Sequence, residues 1–494
     1  MTTYIGTAIA IALMALVAAG LWWTWRRPFV GLGLLVAGFA VHNIVVMALI
    51  GLHAPLLLVR ILQGWKEVML LLLVVVGVRA LLRQRKDSTF PTLTPADGIA
   101  IAFAAIVFIY FLIPPSILGA DASFAQRLVG LRTLMLIPVL YFIGRTVRAA
   151  DDRDRLTVVL ICMGAGAVVA IFGTYELFFV PTKTWIDWGV ITYSKFIGFT
   201  YHGPLGMPEN FFITVNDGTL IRRMVSTYVS PLGIAYTALV LFPLGIALID
   251  RRVSQRIARV LAVATALVVV SLALSITRLA LFAAVGEAIL LAIALRRVWI
   301  AALVPVLIAA SIAALQPYTS VAPAVDRNLE TVSRNGIQWT IPGNDSSGRE
   351  HYDFLKADIL VDLQHPLGLG TGASTVRYGE LAGTGESAVL GMFGDLGLVG
   401  GSLYVALFLF AIWHGYRALR RSRAASLEEC LPLVALVGGL ALIPVTMTTD
   451  LWGDLSITYL FWWSAGASAT LAAERASRPA RAAYGARRRI IAGG

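Results

Sequence analysis

The sequence predicts an all-α integral membrane protein with about 12–13 transmembrane helices and a long, partly helical extracytoplasmic loop. The chain of 494 residues is 58% hydrophobic and only 14% charged, against roughly 45–50% and about 25% in soluble proteins. Its apolar residues form long runs, of which Ile257 to Leu274 and Leu431 to Val445 are examples. A bilayer-crossing helix needs about 20 mostly apolar residues, so these runs predict membrane spans.

Thirteen runs qualify as spans, and they are too long and too uniform for barrel strands. In chain order they are 4–24, 29–51, 55–80, 97–114, 131–149, 156–179, 228–249, 257–275, 279–296, 298–315, 387–413, 430–448 and 455–473. The first run lacks the basic leader of a secretory signal, because Arg26 and Arg27 follow it. We therefore expect a retained helix.

Basic residues fall in every second connection between these spans, and this alternation predicts the orientation. The basic connections are 25–27, 79–86, 145–155, 250–259, 296–297, 417–423 and the C-terminal tail. Cytoplasmic loops carry the excess of Lys and Arg, so we expect the N-terminus outside and the C-terminus in the cytoplasm. The net charge of +12 is explained in the same way, and it does not indicate a nucleic-acid partner.

The predicted organisation has four parts. Residues 1–315 form an N-terminal transmembrane bundle with an aromatic-rich outer loop at 181–227, and residues 316–386 form a long extracytoplasmic loop. Residues 387–473 form the C-terminal transmembrane helices, and 474–494 form a basic cytoplasmic tail that we expect to be disordered. Outer loops of this length are usually functional. The two cysteines lie in apolar runs, which argues against a disulfide framework.

Several charged residues lie within or at the ends of predicted membrane spans, where a charge is costly unless it has a partner or a function. Arg278 stands at a tight turn on the predicted outer side, against the positive-inside trend, which favours an anion ligand over an arginine that reaches to water. Arg132 is expected to open a helix at its outer end, where both explanations stay open. Arg222 and Arg223 close the first outer loop, and either of them could face an anion. For Lys66 and Glu67, inside the third span, an internal ion pair is the favoured interpretation.

The long outer loop contains the largest concentration of sequence motifs. Ser346-Ser347-Gly348-Arg349 precedes a helical stretch, and 365–372 reads His-Pro-Leu-Gly-Leu-Gly-Thr-Gly. Glu386 follows at the start of a membrane helix, where capping is its structural alternative. His351 is a further candidate to line the same cavity. We find no spacing of His, Asp and Glu typical of a metal site and no nucleotide-binding signature, so we expect no metal and no cofactor.

These segments resemble, in order, the bacterial O-antigen ligase and Wzy-type polysaccharide polymerase family. Ser275-Ile276-Thr277-Arg278 resembles the family's Ser-Arg motif, and the segments around Arg349 and Pro366 resemble its Ser-Gly-Arg and Pro-x-Gly-x-Gly pattern. Asp395-Leu396-Gly397 through Gly400 resembles its acidic-x-Gly-x-x-Gly motif, and 222–231 resembles a weaker upstream segment. Glu386-Ser387 stands where ligases usually carry His-Asn. The resemblance covers about half of the chain, roughly 132–404.

The resemblance implies a GT-C-like, inverting, metal-independent glycosyltransferase of the bacterial cytoplasmic (inner) membrane. Its donor would be a polyprenyl (undecaprenyl) diphosphate-linked glycan, and its acceptor another glycan. Independently of the resemblance, Arg278 and Arg349 suit a diphosphate because guanidinium groups bind phosphate oxygens in a planar fork. Glu386 suits the base that takes the acceptor's proton, and His351 and His365 are the alternatives for this role. Arg222, Arg223, Arg132 and His351 are the further candidates for binding diphosphate or glycan.

By the family pattern, a ligase that uses lipid A core would carry histidine at Glu386, so the glutamate favours a polymerase of capsule, exopolysaccharide or O-antigen repeats, or else a ligase that uses another acceptor. The polymerase is the leading interpretation and the ligase the runner-up. A flippase or transporter of lipid-linked glycan is the alternative from another class, although its charges would be expected near the membrane midplane. Membrane lipids are partners in every case. The sequence leaves open whether a chain-length regulator binds.

Overall fold

The structure of the protein is a computed structural model. It describes residues 2–86, 92–198, 201, 203, 206–208, 210–214, 220–249, 253–315, 347–375, 381–420 and 427–492. In the N-terminal half the helices are α1 (Thr2–Arg26), α2 (Val30–Gly51), α3 (Leu56–Gln63), α4 (Trp65–Lys86), α5 (Pro95–Leu112), α6 (Pro115–Leu118), α7 (Phe124–Thr146), α8 (Asp152–Phe179), α9 (Thr182–Asp187) and α10 (Val190–Ile197).

The remaining elements follow a short hairpin of β1 (Phe212–Thr214) and β2 (Leu220–Arg222). They are α11 (Pro231–Ile249), α12 (Gln255–Leu274), α13 (Arg278–Leu295), α14 (Val298–Ala301), α15 (Leu303–Leu315), α16 (Ser347–Gln364), α17 (Ala388–Arg420), α18 (Leu427–Thr448, with a π-helical stretch at Val434–Gly438) and α19 (Leu455–Ala492).

Ten helices of the described chain are long and apolar enough to cross a membrane. They are α1, α2, α5, α7, α8, α11, α12, α13, α17 and α18. The predicted class of multi-pass helical membrane protein is therefore confirmed. The three other predicted spans correspond to α4, to α14 with α15, and to the first part of α19, which are helical but are not among these ten.

Several predicted boundaries are wrong. The span predicted at 55–80 is two helices, because the chain breaks at Gly64 between α3 and α4. Helix α7 begins at Phe124, so Arg132 lies more than two turns inside it and does not open it. Helix α19 runs to Ala492, through most of the tail that we expected to be disordered. The first outer loop contains a small β-hairpin, an exception to the all-α prediction.

Ion pairs tie the helix termini together at the predicted cytoplasmic end of the bundle. Arg145, near the end of α7, donates to both oxygens of Asp97 in the first turn of α5 at 2.8 Å, and both side chains are buried. Arg27, just after α1, donates at 2.9 Å to Asp154 in the first turn of α8. These contacts agree with the alternating helix directions that the sequence predicts.

Helix packing at the centre depends on small residues. Helix α11 is 89% buried in its most apolar window, so it lies in the interior of the bundle. Helices α7 and α19 touch backbone to backbone at Gly144 and Gly466. A Cβ atom on Gly466 would lie 1.9 Å from the carbonyl oxygen of Tyr141, so only glycine allows this approach. Close packing at small residues is typical of membrane helices.

Candidate functional site

A buried carboxylate organises the first outer loop. Glu176, in the last turn of α8, is 0% exposed. Its Oε1 accepts hydrogen bonds from the backbone N–H groups of Val225 and Ser226 at 2.9 and 3.1 Å. Its Oε2 accepts one from the Trp185 indole at 3.3 Å. The sequence analysis gave Glu176 no role, but this side chain fixes the path of the chain into α11.

Arg222 has a structural role at the end of α8, and its role as a ligand for diphosphate or glycan stays a prediction. The guanidinium is buried and donates to the backbone oxygens of Glu176, Leu177 and Val180 at 2.5–3.0 Å. It also pairs with the Glu176 carboxylate at 3.5 Å. Arg222 therefore satisfies the last carbonyl groups of α8, which have no partner within the helix.

Arg223 holds the turn that carries Arg278. The Arg223 guanidinium is buried and donates from Nε to the Ser275 carbonyl oxygen and from Nη2 to Thr277 Oγ1, both at 2.7 Å. Ile276 in this turn has a φ of +49°, which is costly for a β-branched residue. Arg278 follows directly, is exposed, and begins α13. Arg223 thus positions Arg278.

Residues from distant parts of the chain meet beside the hydroxyl of Tyr236, in the second turn of α11. The charges of Arg223, Glu386 and Asp454 all act on this hydroxyl. Tyr236 Oη also hydrogen-bonds Thr449 Oγ1 at 3.1 Å. We call Arg223, Tyr236, Arg278, Glu386 and Asp454 the outer polar site.

Asp454 lies in the short connection between α18 and α19. Burial raises the pKa of this carboxyl from 3.8 to about 7, because a charged group loses its hydration there. Sequence analysis missed both Asp454 and Tyr236. The connection 449–454 contains two acidic residues, Asp450 and Asp454, and the sequence does not distinguish which of them is buried.

The segment before α17 presents Glu386, and its neighbours determine how. Ser387 Oγ accepts the Leu390 N–H at 3.1 Å, so Ser387 provides a side-chain cap at the start of α17. Asp358 of α16 accepts the Thr384 N–H at 2.6 Å and the Thr384 hydroxyl at 3.0 Å. The Ala388 N–H donates to the Thr449 carbonyl at 3.1 Å. Glu386 is half-buried between these anchors.

The glycine-rich segment after Pro366 packs closely against α17. Asp395 in α17 is fully buried and accepts from the N–H groups of Gly372 and Ser374 at 2.8 and 2.6 Å and from the Thr375 hydroxyl. Gly397 has a φ of +66° inside α17, and a Cβ there would lie 2.5 Å from the Leu367 carbonyl carbon. The second outer connection is therefore held, like the first, by a buried carboxylate on a membrane helix.

Arg349 and His351 lie near the start of α16. The backbone of Arg349 is helical, but its side chain lies outside the described residues. His351 is exposed, and its ring packs edge-on against Phe354 of the same helix at 6.4 Å. The meeting of Arg349 with Arg278 thus stays a prediction.

Arg132 belongs to a different cluster. Its guanidinium donates to Glu67 Oε1 at 2.7 Å, and Lys66 Nζ lies 3.6 Å from the other carboxylate oxygen. The expected internal pair of Lys66 and Glu67 is therefore confirmed, with Arg132 as a third member.

Among the residues that the structure describes, no group of three or more His, Cys, Asp or Glu side chains is placed to hold a metal ion. In comparisons with known proteins, the chain matches no family model and no curated sequence. The family resemblance therefore rests on the motifs alone.

Proposed function

We propose that the protein is an inverting glycosyltransferase that polymerises glycan repeats carried on polyprenyl diphosphate at the outer face of the cytoplasmic membrane. The observation that carries the proposal is the convergence at Tyr236 of Arg223 and Glu386. These residues belong to separate motifs of the family resemblance, and the first of them holds the turn that carries Arg278. This gathering at one end of the bundle also supports an enzyme over a transporter, whose charges belong near the midplane.

In the proposed reaction an acceptor hydroxyl oxygen attacks the anomeric carbon of the donor glycan. The bond from that carbon to the diphosphate oxygen breaks, and the lipid diphosphate leaves with the electron pair. The hydroxyl proton passes to the Glu386 carboxylate. Arg278, and Arg349 with it, stabilises the negative charge that develops on the diphosphate.

Glu386 is preferred to Asp454 as the base because it is half-buried and accessible to an acceptor. Asp454, with a pKa raised to about 7 by burial, instead sets the charge next to Tyr236. When Asp454 is neutral, the site carries less negative charge against the anionic donor.

The experiment uses purified protein and a polyprenyl-diphosphate oligosaccharide. We expect free lipid diphosphate together with longer lipid-linked glycans. Arg278→Met should lower both products by orders of magnitude while the protein still folds and reaches the membrane, and Lys183→Met, an exposed outer cation, should leave them unchanged. Transfer only when another acceptor is added would indicate a ligase. Movement of intact donor across a vesicle membrane without its cleavage would contradict an enzyme.

A further inference from the structure

Helix α1 contacts the rest of the bundle near its two ends. Its buried residues are Gly6, Ala10 and Thr24. At one end a Cβ on Gly6 would lie 2.9 Å from the Leu52 carbonyl oxygen, and at the other a Cβ on Gly31 would lie 2.9 Å from Thr24 Cγ2. Between these contacts a gap separates part of α1 from α2.

The gap is an apolar groove of about 430 Å³, within the range of about 300–1,000 Å³ found for small-ligand sites. We call it the α1–α2 groove. Its walls come from α1, α2, α3 and α4, and include Leu13, Val17, Val45, Leu62 and Met69. Because most of α1 is exposed, with 11% of its most apolar window buried, a hydrocarbon chain can enter from the bilayer.

A histidine and a tryptophan mark the polar part of the groove. Trp65, the first residue of α4, lies flat over α2 because Gly38 leaves room: a Cβ on Gly38 would be 2.5 Å from Trp65 Cη2. The Trp65 indole donates to His42 Nδ1 at 3.3 Å. The charges of Lys66 and Arg132 act on this same imidazole. The groove is thus adjacent to the cluster of Lys66, Glu67 and Arg132, which we call the cationic cluster.

The cationic cluster carries a net positive charge that can attract an anion. Its two positive side chains and one carboxylate leave a single net positive charge. Arg132 and Glu67 are 42% and 45% exposed, so the cluster is accessible. The Tyr459 side chain is 0% exposed, the charges of Arg132 and Glu67 act on its hydroxyl, and that hydroxyl has no hydrogen-bond partner in the described part of the chain. A buried polar group without a partner is rare and indicates a missing one.

We infer that this region binds an anionic phospholipid, with one acyl chain in the α1–α2 groove and the phosphodiester at Lys66, Arg132 and Tyr459. Lys66 and Glu67 lie in the first turn of α4, directly after the short helix α3, whose exposed Leu57 and Ile61 suit the membrane interface. The phosphate is therefore at headgroup level. The inference does not depend on the proposed glycosyltransferase activity.

Charge decides between two membrane lipids. A phosphodiester with an uncharged headgroup carries one negative charge, which the net single positive charge of the cationic cluster neutralises. A polyprenyl diphosphate carries more, and the single net positive charge of the cationic cluster would leave part of that charge without a partner. The structure therefore favours the phospholipid at this site.

The test is native mass spectrometry of the purified full chain with dioleoyl-phosphatidylglycerol. We expect a retained lipid whose affinity falls about tenfold or more in Lys66→Met and in Ala37→Phe, which fills the groove without changing any charge. Tyr459→Phe should weaken binding severalfold without loss of thermal stability, because the hydroxyl has no internal bond to lose. Lys183→Met is the matched cation control and should bind like the wild type.

Two results would overturn the inference. One is equal retention of phosphatidylglycerol by the wild type, Lys66→Met and Ala37→Phe. The other is displacement of the phospholipid by polyprenyl diphosphate that depends on Lys66, which would assign the region to the carrier lipid. Neither readout requires glycan transfer, so a failure here is distinguishable from a failure of the proposed function.

Discussion

Replacing Arg223 tests how the outer polar site is built. The buried guanidinium makes two charge-assisted hydrogen bonds of 2.7 Å to the turn before Arg278. Such bonds contribute about 1.5–3 kcal/mol each, so Arg223→Met should remove roughly 3–6 kcal/mol that holds the turn. Since about 1.4 kcal/mol corresponds to tenfold, we expect turnover to fall about 100-fold or more.

A graded series sharpens this expectation. Thr277→Val removes the acceptor of the Nη2 bond and leaves the Nε bond to Ser275 in place, so it should cost about tenfold in turnover. The assay is release of lipid diphosphate by purified protein at saturating donor, with size-exclusion chromatography to show that each variant is folded. Lys183→Met is the control.

The decisive comparison is a double-mutant cycle between Arg223 and Arg278. Because Arg223 acts through the turn, Arg223→Met should add almost nothing once Arg278 is already methionine. If the two losses multiply in the double mutant, then Arg223 acts on the substrate by itself and the positioning argument is refuted.

Four further predictions concern single carboxylates. Glu386→Gln should bind donor as the wild type does and lose at least 100-fold in turnover; unchanged turnover would remove Glu386 as the base. As pH rises through about 7, Asp454 ionises and the donor KM should rise. Asp454→Asn should abolish this pH dependence of KM, and a pH dependence that persists in the variant would show that another group causes it. Asp395→Ala leaves three donors unsatisfied, so the melting temperature should drop steeply and protease should cleave 366–375, whereas an unchanged digest would contradict its anchoring role. Burial and the charges of neighbouring carboxylates raise the pKa of Asp362 from 3.8 to about 7, which makes its ionised form unfavourable in the folded state. Asp362→Asn should therefore gain melting temperature over the wild type as pH rises from about 4 to about 7, with a constant gain above that range; a gain that shrinks with pH would contradict this sign.

The sequence alone predicted the class of the protein, which the structure confirms, and it predicted an orientation for its helices. Apolar runs and alternating basic connections depend on the local chemistry of crossing a bilayer, which each segment meets by itself. Arg278 at a turn on the predicted outer side, and Glu386 just before a membrane helix, were found for the same reason. Each side chain is unusual in its own immediate context.

Only the tertiary structure decided which charges are available for chemistry. Arg222 and Arg223 are adjacent and identical in sequence terms, yet one closes the end of α8 and the other holds the turn before Arg278. Arg132 was predicted at a helix start but lies inside α7, paired with Glu67. Asp454 and Tyr236 gained a place in the site, and Glu176 and Asp395 gained their anchoring roles, through partners far away in the chain. Whether a charged side chain is already paired or is available for chemistry depends on the donors and acceptors around it in space. Membrane helices bring together residues that are far apart in the chain, so the sequence does not show which of them become partners.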